Sequence, residues 1–359
     1  MRICFFIYNF SRSGGSERVT SIIANYLSKK NHDVTVLSVS GDNTCFYPLE
    51  SDILLHTLFD YPINCKSGFF SILHKLHSFY KKNRFDLVID VFASMSIFTL
   101  ILKPVFKFRN ISWEHFNYTA NIGMSFWGRK LAVLFSDEII TLTKEDQEAY
   151  RTKEKFKRAK ITYIYNPTPY EKAQKSQLNQ KNMITVGRLT YQKGYDMLLD
   201  AWCLVEKKRK DWNLLIFGTG EDENILKEQA KKLHLEKLVF KGVSKDIDKC
   251  YRNASVYVSS SRFEGLPMCM IEANSFGLPI VSFNYKTGPE EIISDGVNGY
   301  LVKEGDIVGL ANKLLYIMDN PSCIQELSKS IKIDRFTMKY IGQRWDEELN
   351  YLMGKKKGK

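Results

Sequence analysis

Residues 255–272 read Ser255-Val256-Tyr257-Val258-Ser259-Ser260-Ser261-Arg262-Phe263-Glu264-Gly265-Leu266-Pro267-Met268-Cys269-Met270-Ile271-Glu272. Residues 255–258 have the composition of a short strand, 259–262 form a polar turn, and 267–276 fit a helix. Pro267 falls in the first helical turn, where a missing N–H costs little. A strand leading through a polar loop into a helix is the repeating unit of a parallel α/β sheet.

The same unit recurs in both directions. Upstream, strands are expected at 2–8, 34–39, 54–58, 87–90, 110–113 and 138–141, with helices at 16–29, 69–82, 94–103 and 123–135. The alternation pauses over 151–181: a basic stretch at 151–160, a strand at 161–165, Asn166-Pro167-Thr168-Pro169, then a polar run. This is the best linker in the chain. Alternation resumes with strands at 182–186, 213–217, 238–240, 255–258, 279–283 and 299–302. Helices fit 195–208, 222–233, 247–253, 267–276, 289–294, 306–318 and 338–353. The expected fold is α/β: two doubly wound, parallel-sheet, Rossmann-like domains facing an interdomain cleft, where ligands of such sheets bind. The expected boundaries are 1–167, completed by a C-terminal helix in 338–359, and 168–337.

Composition supports a soluble globular chain. Its 359 residues exceed what one core usually sustains, and 44% are hydrophobic and 26% charged. The seven cysteines have no zinc spacing, so reduced thiols and no metal are expected. The apolar start lacks the length of a signal segment. No apolar run reaches the roughly 18–20 residues of a membrane span. These features point to a cytoplasmic location. The formal net charge of +12 asks for an anionic partner. No nucleic-acid module is visible, which leaves phosphorylated small molecules or an anionic membrane. The lysine tail at 355–359 reads as a solvated, frayed end.

Four local signals carry chemistry. Gly14-Gly15-Ser16 follows the first strand and opens a helix, whose free N–H groups suit an anion; an ordinary strand-to-helix turn reads the same way. Gly187-Arg188-Leu189 with Lys193-Gly194 brings two cations towards a diphosphate: Arg188 as a planar fork, Lys193 as a movable point charge. Two solvated surface cations are the alternative. Glu264 sits before a helix and Glu272 within its apolar stretch. Both are acceptor-only groups suited to sugar hydroxyls, unless one is a first-turn acid and the other structural. His115 lies just past a strand end, the edge where such sheets do chemistry.

Together these residues resemble the family-4 retaining glycosyltransferases of the GT-B fold. That family carries a glycine loop after the first strand, a Gly-Arg-Leu…Lys-Gly segment and a pair of glutamates eight residues apart, here Glu264 and Glu272. Gly218-Thr219-Gly220, Gly277-Leu278-Pro279 and Asp295-Gly296-Val297-Asn298-Gly299 extend the likeness. The resemblance implies roles. Arg188 and Lys193 would neutralise the donor diphosphate, with Gly14 and Gly15 approaching it from the other domain. Glu272 would hold the ribose, and Glu264 with Gly265 and Leu266 the transferred sugar. Gly242 and Val243 would face the base, and His115 would line the sugar site. The first domain would be the acceptor side and the second would bind the donor.

Leu266-Pro267 stands where the family commonly has Phe-Gly, and Glu290-Glu291 follows Gly288-Pro289. This variant resembles enzymes that assemble surface polysaccharides, of amylovoran type. It implies a metal-independent, retaining transfer of a hexose or N-acetylhexosamine from a nucleotide-diphosphate sugar, with UDP expected, and no further cofactor. The acceptor would be a glycan or a lipid-diphosphate-linked glycan.

Other classes fit less well. Asp246-Ile247-Asp248 satisfies the acidic signature of metal-dependent transferases but reads as a helix start. An NAD-dependent oxidoreductase lacks its G-x-G-x-x-G. A non-catalytic sugar-nucleotide-binding regulator on the same fold would not need His115, both cations and both glutamates. Finally, Phe69, Leu73, Leu76 and Tyr80 fall near one helical face with Phe70 and Phe79 beside them, and Lys75, Lys81, Lys82 and Arg84 add charge. That helix is either core-facing or, with 103–109 and 126–130, a peripheral docking surface for an anionic inner leaflet.

Overall fold

The computed structural model describes residues 1–120 and 123–354. The lysine tail and the last residues of the 338–359 segment lie outside the described residues. The chain forms two compact units: Met1–Pro167 with the chain from Lys339 onward, and Thr168–Met338.

The first unit contains β1 (Arg2–Ile7), α1 (Gly15–Lys29), β2 (Asp33–Ser40), β3 (Leu54–Phe59), α2 (Phe69–Lys82), β4 (Leu87–Val91), α3 (Ala93–Phe106), β5 (Arg109–Trp113), α4 (Ser125–Phe135), β6 (Glu138–Thr141), α5 (Lys144–Lys153) and β7 (Lys160–Tyr163). Its sheet has the order β3-β2-β1-β4-β5-β6-β7, and each pairing is parallel. Central β1 is apolar on both faces: Ile3, Cys4, Phe5, Phe6 and Ile7 are all buried, as expected where helices cover both sides of a sheet.

The second unit contains β8 (Asn182–Val186), α6 (Tyr195–Glu206), β9 (Asn213–Phe217), α7 (Glu223–Lys232), β10 (Leu238–Gly242), α8 (Ile247–Arg252), β11 (Val256–Ser259), α9 (Met268–Ser275), β12 (Ile280–Asn284), α10 (Pro289–Ile292), β13 (Gly299–Lys303), α11 (Ile307–Asp319) and α12 (Pro321–Lys329). Its parallel sheet has the order β10-β9-β8-β11-β12-β13. Trp202 and Trp212 anchor a core shared by α6, α11 and the sheet. Two doubly wound α/β sheets are what the alternation predicts.

The last helix, α13 (Met338–Leu352), packs on the first unit. It buries Ile341, Trp345, Leu349 and Leu352 at helical steps. Trp345 meets Trp113 edge-on at 5.0 Å, and Tyr26 donates to Asp346 at 2.7 Å. Lys160 bonds Glu348 and lies 3.6 Å from buried Glu138.

The structure departs from the sequence reading at three helices. α5 lies mostly where no element is expected and overlaps only the start of the basic stretch at 151–160, and α12 lies where no helix is expected. α2 has its expected bounds, but its buried residues are Ile72, Leu76, Phe79 and Tyr80. Phe69 and Leu73 only flank the core, and Phe70 is 82% exposed. The apolar face of α2 is thus committed to the core, which removes it as a membrane-facing stripe. Among the described residues, no helix is long and apolar enough to cross a membrane.

Candidate active site

In the second unit the strand order reverses between β8 and β11, and ligands of such sheets bind beyond the carboxyl ends of the strands at that point. The segment after β8 carries Arg188 and a 3-10 turn, Tyr191–Lys193. The segment after β11 carries Glu264 and leads into α9, which carries Glu272.

Two glycines make this edge. Gly218 has φ +130°, and a Cβ there would lie 1.9 Å from the Gly187 carbonyl oxygen. Leu189 N–H donates to the Thr219 carbonyl at 3.0 Å. The two strand-end loops therefore touch backbone to backbone, and Arg188 is left facing water. Gly194 turns the 3-10 segment into α6 with φ +62°, and a Cβ there would fall 2.1 Å from the Ser260 carbonyl oxygen. That close approach sets Lys193 beside the β11 loop.

Lys193 and Glu264 form an ion pair, Nζ to Oε1 2.6 Å, with side chains 19% and 11% exposed. Ser261 Oγ donates to Glu264 Oε1 at 2.9 Å, and Gln192 Nε2 to Oε2 at 3.1 Å. Burial works against the Lys193 ammonium, but the adjacent carboxylate outweighs it and holds the pKa above the usual lysine range. Of the two surface cations the sequence allows, Arg188 is exposed and Lys193 only 19% so. Arg188 is exposed and makes no ion pair among the described residues.

Glu272 is 3% exposed and accepts from the Tyr251 hydroxyl at 3.0 Å. Tyr251 on α8 stacks on Phe276 with ring centres 5.1 Å apart. Burial, reinforced by Glu272, pushes the Tyr251 phenol well above its usual range, so it stays a donor. Sequence reasoning missed Tyr251, since nothing local links positions 251 and 272. Gly265 and Leu266 are buried in the loop at the head of α9, where the first helical N–H groups lack intrahelical partners. Gly242 ends β10 with φ +66°, its carbonyl accepts from Gly218 N–H at 2.8 Å, and Val243 beyond it is 69% exposed. Asp246 caps α8 by accepting from Lys249 N–H at 3.0 Å, which is the helix-start role.

The first unit presents a different chemistry. Gly14 caps α1 and Gly15 is its first residue. Glu17, in the first turn, lies so close that a Cβ on Gly14 would be 2.2 Å from its Oε2. The chain's own carboxylate therefore already faces this helix start, a feature visible in the sequence as Ser16-Glu17 but not weighed there. His115 follows β5, is 9% exposed, and its Nε2 has no hydrogen-bond partner among the described residues. The rings of Trp113 and Phe92 stand 4.4 and 5.2 Å from it. Burial pushes its pKa down to about 3, so the imidazole is neutral and can donate or accept one hydrogen bond. Phe92 holds φ +82°, strained for a bulky residue, and stacks on Phe116 at 5.0 Å. Behind them Glu114 accepts from Phe116 N–H at 3.2 Å and Tyr150 OH at 3.3 Å, and burial raises its pKa to about 7.

Residues 168–334 match the glycosyl transferases group 1 family, and residues 13–172 match Glycosyltransferase Family 4. An uncharacterized glycosyltransferase of Haemophilus influenzae is 35% identical over 350 residues, 96% of this chain and 98% of the relative. The amylovoran biosynthesis glycosyltransferase AmsD of Erwinia amylovora is 35% identical over 320 residues, 84% of this chain and 85% of AmsD. An N-acetyl-D-galactosaminyltransferase of Campylobacter jejuni, named for a GalNAc-containing PP-undecaprenol substrate, is 28% identical over 364 residues, 96% and 97% of the two chains. Among solved structures, a Staphylococcus aureus TarM mutant bound to fondaparinux, alpha-GlcNAc-glycerol and UDP shares the fold with a TM-score of 0.83, at 15% identity, over 97% of this chain and 99% of that one. With two parallel α/β sheets and 35% identity along nearly the whole of such relatives, this chain belongs to the family-4 glycosyltransferases of the GT-B fold, of the surface-polysaccharide type.

Proposed function

We propose that this glycosyltransferase moves a hexose or N-acetylhexosamine, with retention of configuration, from a UDP-sugar to a lipid-diphosphate-linked glycan at an anionic membrane surface. The observation that carries the donor half is an exposed Arg188, without an ion pair among the described residues, beside a carboxylate-held Lys193 at the switch point of the second sheet. The barrier to transfer is charge separation between an oxocarbenium-like sugar and a departing nucleotide diphosphate. Fixed cations aimed at the departing charge lower that barrier in a site that excludes water. Arg188 supplies a fork for two phosphate oxygens. Lys193 supplies the second charge once the donor draws it from Glu264, and Glu264 is then freed to accept sugar hydroxyls. Glu272, braced by Tyr251, accepts from the ribose. Neutral His115 offers Nε2 to the sugar. No divalent ion is required for this chemistry.

TarM, which shares the fold, was crystallised with UDP. The C. jejuni relative is named for an undecaprenol diphosphate glycan, and AmsD for amylovoran biosynthesis. The test is a thermal-shift screen of nucleotide sugars, followed by turnover of the best binder with and without chelator. Binding of UDP-sugars and chelator-resistant transfer are expected. Strict dependence on a divalent ion would overturn the role given to the two cations.

A further inference from the structure

The helices α2, α3 and α4 leave apolar side chains in water very unevenly. α2 turns Ile72, Leu76, Phe79 and Tyr80 inward and exposes Phe70, whereas α3 and α4 each keep several apolar side chains outside. On α3, Ile101, Pro104 and Val105 follow one another at helical steps and are exposed, Ile101 by 46% and Val105 by 62%. On α4, Trp127, Leu131, Leu134 and Phe135 also follow at helical steps: Trp127 is 67% and Phe135 53% exposed, and Leu131 and Leu134 between them are half-buried. The two helices pack side by side, and Lys103 Nζ on α3 donates to the Phe135 carbonyl at 2.8 Å. Phe156, between α5 and β7, is 80% exposed and lines a cavity of about 500 Å³ with Leu134 and Phe135. Exposed apolar side chains thus stand on the adjoining helices α3 and α4 and, with Leu134 and Phe135, at Phe156, and exposed apolar surface of this kind usually marks an interaction site.

The charge around this face has one dominant sign. Lys155, Lys157 and Arg158 line the same cavity as Phe156. Lys107 ends α3. Lys103 and Arg109 share Asp137, and Lys130 pairs with Glu154. The rim thus carries seven cations against two carboxylates. Beside Phe156, the positions 155, 157 and 158 hold cations with no carboxylate among them. Such a cluster attracts a layer of negative charge better than a single counter-ion. An anionic bilayer supplies that layer, and an apolar phase directly beneath it for the aromatic side chains.

We infer that the outer face of α3, α4 and the 154–158 loop docks the first unit on a membrane containing anionic lipid. Trp127, Phe135, Phe156, Ile101 and Val105 enter the headgroup–acyl boundary, and the cations around them meet lipid phosphates. This rests on the membrane-borne acceptor proposed above and adds which part of the chain meets the membrane.

The experiment sediments the full chain with vesicles of phosphatidylcholine and of an equal mixture of phosphatidylcholine and phosphatidylglycerol, at low and high salt. Pelleting with the mixture, weak with phosphatidylcholine and lost in high salt, is expected. The triple variant Lys155→Glu, Lys157→Glu, Arg158→Glu should bind about a hundredfold more weakly at low salt. Phe156→Ser should lose about tenfold with its thermal melt unchanged. Trp127→Phe should remove a blue shift of fluorescence that anionic vesicles induce in the wild type. All three should turn over a water-soluble glycan acceptor as the wild type does.

A wild type that acts on the soluble acceptor yet pellets with neither vesicle overturns docking and leaves glycosyl transfer standing. Pelleting that the triple variant retains overturns this face while leaving a membrane acceptor in place. A vesicle-independent dimer that Phe156→Ser dissociates would assign the face to a second copy of the chain, against the inference.

Discussion

Lys193→Met should cost the fold much more than Arg188→Ala, although both cations are assigned to one diphosphate. Arg188 is exposed and makes no ion pair among the described residues, so its truncation should change stability by no more than about 0.5 kcal/mol. Lys193 and Glu264 are 19% and 11% exposed and 2.6 Å apart. At an effective dielectric of about 20, the gross attraction at that distance is about 6 kcal/mol, and desolvation of both groups offsets a large part of it. Removing the ammonium leaves Glu264 with Ser261 and Gln192 as its hydrogen-bond donors. A net loss of about 2–4 kcal/mol follows. Glu264→Gln keeps the shape but strands the ammonium, and should cost about 2–3 kcal/mol. The double variant loses the charge pair as a unit, so it should be less destabilised than the sum by about 1–3 kcal/mol. The assay is a double-mutant cycle by urea unfolding, followed through tryptophan fluorescence, with Trp202 and Trp212 reporting the second unit. Isothermal titration with UDP completes it: Lys193→Met should bind more weakly, and Glu264→Gln at least as well as the wild type, with turnover reduced. An additive cycle, or a Lys193→Met variant as stable as Arg188→Ala, would refute the reasoning.

Glu272→Gln should weaken both the donor and free UDP by about 1.5–3 kcal/mol, while Tyr251→Phe, which removes only the bracing hydroxyl, should lose about 1 kcal/mol; unchanged titration isotherms in both folded variants would exclude the ribose role. His115→Ala should lower kcat with UDP affinity little changed, and the wild-type pH–rate profile should contain no ionisation from this residue, whose pKa is held down to about 3; a profile limb lost specifically in His115→Gln would contradict that. Because this folded value lies below the unfolded 6.5, the contribution of His115 to stability is complete above pH 6.5 and is lost as pH falls towards 3, so His115→Phe should flatten acid unfolding across that window. Glu138 acts in the opposite direction: burial and then the neighbouring Glu348 raise its pKa from 4.5 to about 8. Its favourable contribution is therefore present below pH 4.5 and lost as pH rises through 8, and Glu138→Gln should reduce the loss of thermal stability between pH 6 and 9, read by calorimetry.

The parts of the fold that local rules govern were legible, and the parts decided by distant contacts were not. Strands buried on both faces are short apolar runs, so β1 and β11 stand out against polar turns. α5 escaped notice because Lys144–Lys153 is almost wholly polar and buries just Asp146 and Tyr150. A readable signal was present nonetheless: Thr143 caps it by accepting from Asp146 N–H, the Ser/Thr-x-x-acid pattern of a helix start. α12 likewise offers Pro321 in its first turn after Asn320. For α2, periodicity alone could not choose a face. Its apolar residues run nearly all round, so the set at 69, 73, 76 and 80 and the set at 72, 76, 79 and 80 both satisfy steps of three and four, and only the position of the sheet and of α3 selects between them. The site shows the same division. Arg188, Lys193, Glu264 and Glu272 could be named from strand ends and helix starts, but the Lys193–Glu264 pair spans 71 positions, and the backbone contact of Gly194 with Ser260 is what closes it. His115 could be placed at a strand end, yet its neutrality comes from burial against the rings of Trp113 and of Phe92, held at φ +82°. A charge seen in sequence is thus a candidate for a role. Whether it stands free like Arg188, is held like Lys193, or is suppressed by burial as the His115 proton is, follows from what the sheet brings against it.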